Sequence, residues 1–186
     1  MIYEPKEFIS KANKHYLLRS PNKEDSARML EYLKTVSEET PFLINYPEEI
    51  TFTVEKEEEF LDSFLNDKRG IMIAVFKDDE AIGNVSFSCV RNSIKLRHRC
   101  TMGIAIKKKA WGEGIGNMLM QEIIQKAIEA GYEQMELAVY SANRKAIDLY
   151  RKHGFKECAL LPHASKLKDG SYLDEIRMVK DLKSTL

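Results

Sequence analysis

The segment Ile104-Ala105-Ile106-Lys107-Lys108-Lys109-Ala110-Trp111-Gly112-Glu113-Gly114-Ile115-Gly116-Asn117 concentrates residue types that can do chemistry. It reads as a strand end, a glycine-rich turn and the start of an amphipathic helix. Glycines let the backbone approach a ligand closely, and free N–H groups at a helix start favour an anion. Three lysines just ahead add positive charge. Together these features describe a cradle for phosphate or pyrophosphate. The segment is not a Walker loop, because Asn117 and Met118 follow Gly116 where Lys and Ser/Thr are needed. It lacks the third glycine of the dinucleotide fingerprint, since that position is Asn117. Glu136 stands about 20 positions on, but near the start of its strand, where a ribose-binding carboxylate belongs near the end. A glycine turn without a ligand remains the alternative.

A second pair lies downstream. Asn143 and Tyr150 are two helical turns apart and share a face. Taken alone, Asn143 suits a helix N-cap and Tyr150 an ordinary half-buried tyrosine. His98 and Cys100 lack a second ligand pair at finger spacing, so no metal is expected.

These residues need elements to position them. His15–Ser20 reads as a strand, followed by a helix over Lys23–Glu38 that Thr40-Pro41 ends. Thr53–Asp67 reads as a second helix closed by Gly70. Ile71–Phe76 and Ala81–Val90 form a hairpin through the polar turn Lys77–Glu80. Arg99–Ile106 is a strand, and Ile115–Ala130 a helix with a wide apolar stripe ended by Gly131. Met135–Tyr140 is a strand, Asn143–His153 a short helix closed by Gly154, and Phe155–Leu161 and Tyr172–Leu182 two final strands. The expected fold is one mixed α/β domain over residues 1–186, its core about 15–182, with helices flanking a mostly antiparallel sheet.

Composition excludes several classes. Lys plus Arg and Asp plus Glu each number 29, giving zero net charge, which argues against a nucleic-acid partner held by bulk electrostatics. The longest clean apolar run, near Ile71–Phe76, is far short of the roughly 20 residues a membrane span needs. Met1–Lys6 shows no charged-then-apolar signal segment. Three cysteines without paired spacing point to a reducing cytoplasm. The neutral total hides two blocks. Residues 21–67 carry thirteen acids against four bases, and residues 91–109 carry seven bases and no acid. The basic block flanks the glycine segment, which suits a polyanionic ligand.

On two motifs the sequence resembles the GNAT family of N-acetyltransferases. Trp111-Gly112-Glu113-Gly114-Ile115-Gly116 matches the glycines of the family's Arg/Gln-x-x-Gly-x-Gly/Ala signature, with Trp111 replacing the Arg or Gln. Asn143 through Tyr150, then Gly154-Phe155, matches its downstream helix. The order of elements over roughly residues 15–182 matches the family's fold as well. The resemblance implies acetyl-CoA, without a metal, lying between two parallel strands that splay apart, Arg99–Ile106 and Met135–Tyr140. Backbone groups of Ile104, Ala105 and Ile106 would pair with the pantetheine arm. Those of Gly112, Glu113, Gly114, Ile115, Gly116 and Asn117 would hold the pyrophosphate. Asn143 would bond the arm, and Tyr150 would protonate the leaving thiolate. The position where some relatives carry a basic Glu is Ala138, so Glu136, His98 or a water relay would serve as base. The family's acceptor wall falls on the acidic block, with Glu38, Glu39 and Phe42, and His98 as a further candidate. A cationic amine acceptor is therefore expected, the alternative being a solvated acidic helix face. A homodimer is common in that family. The competing reading is a CoA-binding sensor or interaction module that keeps the fold without catalysis.

Overall fold

The computed structural model describes residues 1–183. The chain divides into two compact units, Met1–Ser88 with Gly103–Ile123, and Cys89–Met102 with Ile124–Leu186. Among the described residues, eight strands and four α-helices form a mixed α/β fold, with strand order β1-β2-β3-β4-β5-β6-β8-β7.

In the first unit, β1 (Lys6–Ile9) and β2 (His15–Arg19) form an antiparallel hairpin. β1 has no counterpart in the sequence reading. Its four residues are largely exposed at the sheet's edge, so burial imposes no apolar alternation on them. The helix expected from Lys23 begins as a 3-10 turn, Lys23–Asp25, and α1 proper spans Ser26–Glu39. Asn22 and Asp25 explain the delay. The Asn22 side chain accepts the Glu24 N–H, while the Asp25 carboxylate accepts the Asn22 N–H and pairs with Arg19 at 2.6 and 2.7 Å. α2 (Val54–Asn66) starts at Thr53, whose side chain accepts the Lys56 N–H.

β3 (Ile71–Lys77) is buried on both faces except at Lys77, which is why it reads as an unbroken apolar run. It pairs with β4 (Glu80–Cys89) through a two-residue turn in which Asp78 takes a φ of 52°. Met29, Tyr32 and Val36 of α1 and Leu61 of α2 pack on Met72, Ala74 and Phe76 of β3.

In the second unit the opening half of β5 (Arg99–Ile106) pairs in parallel with β6 (Gln134–Tyr140), Arg99 against Gln134 and Thr101 against Glu136. The connection is α3 (Ile115–Glu129), as parallel neighbours require. Gly131 ends it with a φ of 78°, the left-handed conformation expected after a helix. α4 spans Arg144–Lys152. β7 runs from Lys156 to Lys166, beyond the expected Leu161, and β8 (Tyr172–Asp181) pairs with it and with β6. The register shifts between Leu161 and Ser165, where Pro162 supplies no N–H and His163 takes a φ of 53°. A strand read from alternation stops there, whereas the ladder resumes after the bulge. Among the described residues no helix is long and apolar enough to cross a membrane.

Leu61→Ala, at a fully buried position, is expected to cost about 2–5 kcal/mol in urea unfolding with an unchanged m-value.

Candidate active site

The end of β5 is held from three directions. The Lys107 N–H donates to the Ile82 carbonyl at 2.9 Å, so Ala105 and Lys107 direct their backbone groups toward β4. The approach is close enough that a Cβ on Gly83 would lie 3.0 Å from the Ala105 oxygen. From α1, the buried Tyr32 hydroxyl lies 2.9 Å from both the Ala105 oxygen and Asn84 Oδ1. The Tyr32 hydroxyl thus bridges the end of β5 and the Asn84 side chain of β4. Burial pushes the Tyr32 phenol well above its ordinary pKa, so it remains a donor. The Ile106 carbonyl accepts the Trp111 indole N–H at 2.7 Å. Trp111, in the place of the family's Arg or Gln, thus folds the loop back onto the strand it has just left.

The expected cofactor contacts of β5 therefore separate. Ile104 and Ile106 direct their backbone groups to the edge away from β4. Ala105 does not; its carbonyl belongs to Tyr32, which removes it from the backbone contacts expected with a ligand. Beyond a 3-10 turn at Lys108–Ala110, Gly112 and Gly114 take φ values of 80° and 93°, conformations open to glycine and strained for other residues. The first helical bond shown runs from the Met118 N–H to the Gly114 carbonyl. The N–H groups of Ile115, Gly116 and Asn117 lie in the first turn of α3, where helix geometry supplies no intrahelical acceptor. That turn can receive an anion.

Two expectations about side chains change. Glu113 turns its carboxylate onto the β1–β2 hairpin, accepting from Lys14 Nζ at 2.5 Å and the Tyr16 hydroxyl at 2.8 Å, while the Lys11 N–H donates to its carbonyl at 3.2 Å. The hydrogen bonds from Lys14 and Tyr16 hold the Glu113 carboxyl below its usual range. Burial, followed by the bond to Glu113, pushes Tyr16 up to about 12. The lysines are less free than their number implies. Lys107 is buried and pairs with Glu80 at 2.6 Å, and Lys109 pairs with the same carboxylate, while Lys108 is exposed and uses only its backbone N–H, toward Glu39. Anion attraction in the loop therefore rests on its backbone dipoles and the Lys108 side chain.

The expected acceptor residues scatter. Glu39 uses Oε2 to accept the Lys108 N–H at 2.6 Å, tying the end of α1 to the loop. Glu38 is exposed, and Phe42 is half-buried with its N–H donated to Thr40 Oγ1. His98 lies in the turn before β5, its carbonyl accepting the Glu133 and Gln134 N–H groups. Some 23 Å of strand separates that end from Ile106, at about 3.3 Å per residue. His98 is thus not brought to the loop. Glu136 shares its end of β5, paired with Arg99 at 2.6 Å, and does not fit the role of free base.

In the second unit, Asn143 caps α4 by accepting the Ala146 N–H at 3.3 Å, through Oδ1 alone. Tyr150, two turns along, is 7% exposed and packs 6.0 Å from the Phe155 ring. Its hydroxyl has no hydrogen-bond partner among the described residues, and burial pushes its pKa up to about 12. Tyr32 and the Glu113 side chain escaped the sequence reading. Tyr32 lies 73 positions from its partner, and only the fold joins them.

The family model for the acetyltransferase (GNAT) family matches residues 32–155. The chain belongs to this family. A GNAT acetyltransferase structure from Streptococcus pneumoniae superposes with a TM-score of 0.84 at 28% identity, covering 89% of this chain and 99% of that one. A GNAT phosphinothricin acetyltransferase from Sinorhizobium meliloti, solved with acetyl-CoA, shares the fold with a TM-score of 0.76 at 20% identity, over 88% and 86%. An L-methionine sulfoximine/L-methionine sulfone acetyltransferase of Pseudomonas paraeruginosa is 28% identical over 115 residues. That match spans 62% of this chain and 66% of the relative, a little under two thirds of its length.

The lowered Glu113 pKa has a defined sign. Its contribution to this GNAT chain's stability is present above the unfolded value, near ~4.3, and is lost as pH falls through the depressed folded value. Glu113→Gln is expected to flatten the acid limb of a plot of Tm against pH, which scanning calorimetry reads.

Proposed function

We propose that the chain transfers an acetyl group from acetyl-CoA to a primary amine by direct attack in a ternary complex. The observation that carries this reading is the loop from Gly112 to Asn117, two left-handed glycines opening onto the first turn of α3, at the end of β5 where Trp111 holds Ile106. That arrangement fits a pyrophosphate. The backbone of Gly112–Asn117 would grip the phosphates, and Ile104 and Ile106 would pair with the pantetheine arm. The Ile106 N–H would steady the acetyl oxygen as it gains charge. The Asn143 Nδ2, which its capping bond does not use, would bond the arm. Bound acetyl-CoA supplies an activated thioester.

Tyr150 would donate to the departing sulfur. With its pKa near 12, full transfer to a thiol of pKa ~8.5 is uphill by about 3 to 4 units. Tyr150 therefore lends its hydrogen while the attacking amine releases a proton, and it stays protonated throughout the working pH range. With Ala138 at the position of the family's Glu, Glu136 bound to Arg99 and His98 at the far end of β5, a water relay takes the role of base. The acidic run over residues 21–67 supports a cationic acceptor.

Tyr150→Phe is expected to lower kcat about 100-fold or more while leaving the KM for acetyl-CoA nearly unchanged. Unchanged turnover at saturating substrate removes Tyr150 as the donor. Trp111→Phe, which keeps the ring and loses the N–H, is expected to raise the KM for acetyl-CoA about tenfold with a smaller change in kcat. Thiol release across a panel of cationic and neutral-tailed amines tests the acceptor, and equal use of the two classes removes the preference.

A further inference from the structure

One carboxylate in the first unit is buried and unused. Glu57 is 8% exposed, the one buried residue in the first two turns of α2, where its neighbours Glu55, Lys56, Glu59 and Phe60 are exposed. Its side chain has no hydrogen-bond or ion-pair partner among the described residues. It is also not among the side chains with a polar atom sealed from solvent and unpaired, which are those of Ser26, Ser37, Arg99 and Glu175. The carboxylate is thus enclosed yet reachable.

Its place follows from the bonds around the two helices. The Met1 ammonium donates to the Phe64, Asp67 and Gly70 carbonyls at the end of α2. Tyr3 and Ser20 bond each other, and Ser20 leads into the turn that starts α1. The end of α2 therefore lies by the start of α1, and the helices run antiparallel. At about 1.5 Å per residue, Glu57 stands roughly 14 Å from the end of α2, level with Thr35 of α1. Tyr32 below that level holds the Ala105 oxygen, and Glu39 above it holds the Lys108 N–H. Glu57 also continues the inward stripe of Leu61, four residues on, whose cluster includes Tyr32 and Val36 and packs against Ala105. These relations place the carboxylate on the inner face of α2, level with the end of β5.

Resting on the acetyl-transfer reading, we infer that Glu57 binds the ammonium group of the acceptor amine and holds it at the level of Ile106, where the water relay takes the proton whose loss leaves a neutral amine to attack. An unpaired buried carboxylate is costly, and burial pushes the Glu57 carboxyl up. An ammonium supplies the missing charge and donors together. Amines carry that charge at neutral pH. Among the described residues no charged group is bonded to Glu57, which leaves the carboxylate to a partner from outside the chain.

The test uses the full chain with Glu57→Gln and Glu57→Asp, and with 1,5-diaminopentane and L-methionine sulfone as probes. Glu57→Gln is expected to raise the acceptor KM about tenfold or more, with the KM for acetyl-CoA unchanged and Glu57→Asp recovering part of the loss. Because Gln removes a buried charge, Tm is expected to stay level or rise. With CoA saturating, 1,5-diaminopentane is expected to raise the Tm of the wild type and not of Glu57→Gln. An unchanged acceptor KM, a Tm lowered by Gln, or no amine-dependent shift in the wild type overturns the proposal. Failure of acetyl-CoA itself to stabilise the wild type instead overturns the acetyl-transfer reading.

Discussion

The last two carbonyls of β5 are held from outside the strand, Ala105 by the Tyr32 hydroxyl and Ile106 by the Trp111 indole. A backbone carbonyl left bare at a strand end invites water and fraying. With both satisfied, the chain leaves β5 by one route, through the 3-10 turn and into Gly112 and Gly114. The Tyr32 bond fixes α1 against the strand, the Trp111 bond fixes the loop, and Glu39 joins the two through the Lys108 N–H. Glu113 then ties the loop to the first hairpin. The first unit is thus organised around the few residues where β5 becomes α3.

Charge in this unit does structural work before it does any chemistry. Lys107 and Lys109 share Glu80, so the basic run beside the loop contributes less field than its residue count implies. Several acids of the opposite block are also committed. Asp25 locks Arg19, Glu39 holds the loop, and Glu49 accepts the Tyr46 N–H to cap its turn. Glu57 is the buried member of that block without such a task. The neutral total of the chain conceals both blocks, and the blocks in turn conceal which of their charges are already committed.

Much of the scaffold was legible along the chain. The bounds of β5 match the strand read from the sequence, and Gly131 ends α3 as its position suggests. The glycine turn and the Asn143–Tyr150 spacing led to the family, because both depend on local backbone needs. Misses fell where local pattern carries no signal: the exposed edge strand β1, and β7 beyond the bulge at Pro162.

The sequence by itself determined most of the elements, the glycine turns and the family. Apolar period, caps and left-handed turns are set by neighbours a few residues apart. Only the tertiary structure decided which side chains meet. It gave the Ala105 carbonyl to Tyr32, put Glu113 on the hairpin, sent His98 and Glu136 to the far end of β5, and left Glu57 enclosed without a partner. Those outcomes depend on strand register and helix direction across dozens of residues, and residue type and spacing encode neither.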